Sequence, residues 1–103
     1  MAKQKRELPI EWDINEREKF KELIKSIKNR SERLAQRIKE EVKRNLDHVK
    51  QNPKIFEEDS LKADNDGSYR KFNAILIRIS YKIDSDKIII ARVRYAASEP
   101  IDY

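Results

Sequence analysis

The sequence predicts an α+β domain: an N-terminal strand, a two-helix hairpin, and an antiparallel sheet on which the hairpin packs. Three observations predict it. Apolar residues recur at helical spacing from Phe20 to Val49. They alternate at strand spacing from Ile75 to Tyr95. Between these regions lies one loop-like stretch, PKIFEEDSLKADNDGS, residues 53–68, which holds the single glycine.

Residues 1–7 are polar and read as a flexible arm, and residues 8–103 as a single domain. In LPIEWDI, Ile10, Trp12 and Ile14 fall on alternate positions, a strand pattern. Asn15 then stands as a cap, with Glu18 at capping-box spacing. Phe20, Leu23, Ile24 and Ile27 line one helical face. Ser31 is a second cap candidate. Behind it Leu34, Ile38, Val42, Leu46 and Val49 repeat at spacings of four and three, until Asn52-Pro53 stops the helix. A short strand is expected over 69–72. Longer ones are expected over 74–83 and 87–95, with Ser85-Asp86 at their turn.

Composition excludes several functions. The chain has no cysteine and one histidine, so neither a zinc site nor a redox pair is expected. His48 reads as a solvated side chain, and Trp12 and Phe20 as core. No phosphate loop or nucleophile–base motif is present, and no cofactor is expected. The basic start has no apolar stretch behind it and no run could span a bilayer, which reads as a cytoplasmic protein without a membrane partner. The formal charge is +5. From Tyr69 to Ala96, seven basic residues stand against Asp84 and Asp86, and this segment carries the whole excess. Such a patch suits a polyanion, either nucleic acid or an acidic peptide.

Strand alternation places that charge. Strict alternation puts Ile75, Ile77, Ile79, Tyr81 and Ile83 on one face of the first long strand, and Leu76, Arg78, Ser80 and Lys82 on the other. In the next strand it groups Ile89, Ala91, Val93 and Tyr95 against Ile88, Ile90, Arg92 and Arg94. An open sheet face needs polar side chains whatever its function. Here it is expected to combine Arg78, Arg92 and Arg94, whose guanidiniums fork onto phosphates and carboxylates, with apolar Leu76, Ile88 and Ile90. Together with Arg70, these are the candidate binding residues.

The order of elements, with IEWDINEREKFKELIKSI, YRKF, IRISYKI and ARVRYAASEPIDY, resembles the RelE/ParE superfamily of bacterial type II toxins over about residues 8–103. The long helical hairpin resembles the ParE-like members. The resemblance implies a toxin held inactive by an antitoxin, acting on DNA gyrase by binding or, in RelE-like members, as a ribosome-dependent endoribonuclease of messenger RNA. In the ribonuclease case it implies Arg78 at the scissile phosphate, with Lys71 or Arg70 and Tyr103 assisting. RNA cleavage also needs a base, for which Glu99 and Tyr103 are the tail candidates. Relatives commonly read RH-x-x-R-E-P near the last strand's end. Here RYAASEP places Tyr95 and Ser98 at those positions, which favours a binding toxin, or an inactive homologue that binds only its antitoxin.

Overall fold

The structure is a computed structural model and describes residues 7–98 and 102–103. The elements are β1 (Ile10–Trp12), α1 (Ile14–Arg30), α2 (Glu32–Gln51), β2 (Tyr69–Ala74), β3 (Ile77–Ile83) and β4 (Ile88–Tyr95). The strands form one sheet in the order β1-β4-β3-β2. β2, β3 and β4 run antiparallel, and β1 pairs parallel with β4, so the sheet is mixed. The helical hairpin covers one face, as the α+β reading expects.

The helices follow local chemistry. The first is capped two residues earlier than expected: Asp13, not Asn15, accepts from the Asn15 and Glu16 amides. Ile14 therefore starts a helix instead of ending a strand, and it is exposed. Ser31 ends α1 and caps α2, its hydroxyl accepting from the Leu34 amide at 3.1 Å. The expected face of α2 is the buried one, with Ile38, Val42, Leu46 and Val49 in the core beside Ala35. On α1 only Ile27 is buried; Phe20, Leu23 and Ile24 pack against the core part-exposed.

The sheet departs from strict alternation at two places. Register runs Ile83↔Ile88 and Tyr81↔Ile90, then resumes as Ser80↔Arg92 and Ile79↔Val93. Ala91 is the extra residue of a β-bulge, which shifts the side-chain phase of β4. Ile88 and Ile90 therefore join Val93 in the core, all three fully buried. This corrects the expectation that Ile88 and Ile90 share the open face with Arg92 and Arg94. Isoleucines with no exposure cannot touch a partner.

The second departure is a turn. Ala74 pairs with Ile77, which leaves Ile75-Leu76 as a two-residue hairpin loop in a stretch expected to be strand. Ile75 has φ +60°. Two-residue hairpin turns favour glycine or asparagine at such a position. A β-branched side chain there costs on the order of 1–3 kcal/mol. Both side chains are exposed, so burial does not repay that cost.

Loop 53–68 is held by side chains. Asn65 donates to the Asp59 and Tyr69 carbonyls and accepts from the Gly67 and Tyr69 amides. Gly67 sits at φ +96°, a conformation that side chains rarely adopt. Arg70 donates to the Gly67 and Phe56 carbonyls, so its charge tethers this loop. Tyr81 donates to the Pro53 carbonyl at 2.7 Å, and burial pushes its phenol up to about 12.

Candidate functional site

The open sheet face centres on Asp59, a residue that sequence reasoning missed. Loop 53–68 folds back along β2, with Asp59 N–H donating to the Tyr69 carbonyl and Lys71 N–H to the Glu57 carbonyl. This lays the Asp59 carboxylate over the middle of β3. Its side chain is fully buried. Arg78 donates to it at 2.7 Å, Ser80 at 2.7 Å, the Leu61 amide at 3.0 Å and the Tyr103 hydroxyl at 2.5 Å. Burial opposes ionisation of Asp59, but the hydrogen bonds from Arg78, Tyr103, Ser80 and Leu61 outweigh it. They hold the carboxyl at about 2.

Tyr103 is seated by backbone and ring together. Its amide donates to the Leu61 carbonyl and its carbonyl accepts from the Ala63 amide. The ring lies 4.5 Å from the Arg92 guanidinium and edge-on to Tyr69. Burial, and then the hydrogen bond to Asp59, push its phenol well above the ordinary tyrosine range. At neutral pH this hydroxyl is a proton donor bound to a carboxylate and not a base.

The structure thus brings Arg78, Arg92 and Tyr103 together, with Ser80 and Asp59 between them. It does not bring in the other candidates. Lys71 pairs with Glu57 at 2.8 Å, and Glu57 is lowered by the hydrogen bond and charge of that lysine. Arg94 reaches Glu16 of α1 at 2.9 Å, and the same carboxylate accepts from the Val93 amide on the edge of β4. Arg70 belongs to the loop, and Leu76 to the hairpin tip. Glu99 lies outside the described residues. The one sequence signal for Asp59 was Ser80 in mid-strand. A buried hydroxyl flanked by Arg78 needs an acceptor, but nothing in the spacing says which of several acids supplies it.

The family description "ParE toxin of type II toxin-antitoxin system, parDE" matches residues 10–100. The chain belongs to the ParE toxin family. A search of curated proteins found no match. As a ParE-family member of a two-component system, the chain is expected to meet an antitoxin as its protein partner. Among the described residues no helix is long and apolar enough to cross a membrane, and no group of three or more potential metal-ligating side chains occurs.

Acid titration reads out the Asp59 cluster in this ParE-family fold. The folded carboxyl lies below its unfolded value of 3.8. Its contribution is therefore complete above that value and disappears as pH falls toward about 2. The expected loss is on the order of 2 kcal/mol. Thermal midpoints measured from pH 6 to pH 2 should fall along this limb. Asp59→Asn should flatten it.

Proposed function

We propose that this toxin acts by binding its target, with DNA gyrase as that target, and not by cutting RNA. One observation carries the reading: the residues that the superfamily resemblance assigns to RNA cleavage are engaged within the fold, Arg78, Lys71 and Tyr103 by carboxylates and Arg70 by loop carbonyls. Arg78 and Tyr103 both engage Asp59, and Lys71 engages Glu57. A scissile phosphate would have to displace a buried aspartate from Arg78, and the Tyr103 phenol keeps its proton at neutral pH. A binding inhibitor needs neither a free catalytic cation nor a base. It needs a rigid surface, and the Asp59 cluster supplies rigidity.

The second reading, a ribosome-dependent endoribonuclease, is favoured by the convergence of Arg78, Arg92 and Tyr103 on one open face. The two are separated by adding the purified toxin to gyrase supercoiling reactions and to a translating extract. The expected result is loss of supercoiling with trapped gyrase–DNA cleavage complexes, and intact messages. Translation-dependent message cleavage with normal supercoiling would overturn the proposal in favour of the ribonuclease. Neither effect, with tight antitoxin binding, would leave an inactive homologue.

A further inference from the structure

Much of the charge on the open face is spent inside the fold. Arg78, Lys71 and Arg94 each hold a carboxylate, and Arg70 holds loop carbonyls. What remains gathers at two rings. Tyr69 of β2 stands opposite Lys82 of β3, and the Lys82 ammonium lies 5.8 Å from the Tyr69 ring. Tyr103 meets Tyr69 edge-on, with ring centroids 6.1 Å apart. Lys62, from loop 53–68, reaches both, 4.9 Å from the Tyr69 ring and 5.5 Å from the Tyr103 ring. Arg92 backs the Tyr103 ring from β4.

Three features set this cluster apart from ordinary surface charge. Every cation–π contact among the described residues falls on these two rings. Among the described residues neither Lys62 nor Lys82 has a carboxylate within ion-pair distance, and Asp59, the acid at the centre of the face, is already engaged by Arg78, Ser80 and Tyr103. The parts are also fixed in place. Lys62 donates to the Ala63 carbonyl at 3.1 Å and to the Tyr103 carbonyl at 3.4 Å, while the Tyr103 amide is held by Leu61. Lys62, Tyr69, Lys82 and Tyr103 are all part-exposed, so each is within reach of a ligand.

We infer that the run Lys82, Tyr69, Lys62, Tyr103 is a binding site for a single strand of DNA. Cation and ring alternate along it, as phosphate and base alternate along a polynucleotide, and sites for unpaired strands combine these two elements. An acidic peptide would satisfy the lysines and leave the rings without partners. A duplex keeps its bases stacked and offers the site only phosphates. The choice of DNA over RNA rests on the proposed action on gyrase, an enzyme that cuts DNA. A toxin gripping a cut strand would hold the break open, which is the trapped complex expected above.

The test measures binding of the full-length toxin, without gyrase, to short dye-labelled oligonucleotides by fluorescence anisotropy over a salt series. The probes are single-stranded DNA, its duplex, and RNA of the same sequence. Single-stranded DNA should bind tightest. Lys62→Gln with Lys82→Gln should flatten the dependence of log affinity on log salt by about 1.4, the share of two phosphate contacts. Tyr69→Leu should weaken binding about five-fold or more at every salt concentration and leave the slope unchanged. Lys39→Gln with Lys43→Gln removes the same charge from α2 and should leave binding as it was. Thermal unfolding confirms that each variant is folded. Equal losses from the two lysine pairs, with no effect of Tyr69→Leu, would overturn the site in favour of diffuse charge attraction. Tighter binding of RNA or of duplex would overturn the assignment to a DNA strand. Gyrase supercoiling assays run beside these separate the two claims. A toxin that inhibits gyrase but binds no DNA loses the site and keeps the target. One that binds DNA through these residues but spares gyrase keeps the site and loses the target.

Discussion

Arg78→Ala is expected to destabilise the fold by about 3–5 kcal/mol, because it leaves the fully buried Asp59 carboxylate without its cation. The lower end is favoured, since the Arg78 side chain keeps 15% exposure and Ser80, Tyr103 and the Leu61 amide still donate to Asp59. Urea denaturation at neutral pH measures the loss directly. Replacing both partners by apolar residues, Asp59→Leu with Arg78→Met, should recover part of it, because no charge is then left buried. A loss smaller than about 1 kcal/mol for Arg78→Ala would mean that the pair is solvated like a surface ion pair. The result bears on function too. Inactivity of Arg78→Ala is no sign of catalysis if the variant is largely unfolded. Tyr103→Phe is the cleaner probe, since it removes one donor and leaves the ion pair.

Ile90→Ala should cost about 2–5 kcal/mol, as expected for a fully buried isoleucine truncated in a packed core. Ile89→Ala should cost clearly less, because Ile89 is only part-buried and its side chain faces away from the helices. The pair of variants tests the bulge at Ala91. Without the extra residue, strict alternation from Val93 and Tyr95 would put Ile89 in the core and Ile90 outside, and the order of the two losses would reverse. Urea midpoints at constant slope are sufficient to rank them.

The toxin family, the two helices and the pairing of β3 with β4 were legible in the residues. The open sheet face was legible only in part. Arg78, Arg92 and Tyr103 do meet on the open face, but Arg94 is drawn off by Glu16 and Lys71 by Glu57. Asp59, which organises the face, lies in a loop whose acids look interchangeable in the sequence. Leu76 is exposed as expected, though on a turn and not on a strand.

What the sequence determined by itself is what short-range physics encodes. A helix's buried stripe follows from spacing along one segment, so Ile38, Val42, Leu46 and Val49 could be placed in the core without knowing what covers them. Ser31 caps because its hydroxyl needs only the amide three residues on. What the tertiary structure alone decided depends on partners distant in the chain. One residue inserted opposite Ser80 and Tyr81 resets which isoleucines of β4 are inside, and only the pairing with β3 reveals it. The same holds for the carboxylate that neutralises Arg78. It lies nineteen residues away, and is chosen by how loop 53–68 closes over the sheet. Periodicity carries no information about loop closure, so the centre of the site became visible only in the folded chain.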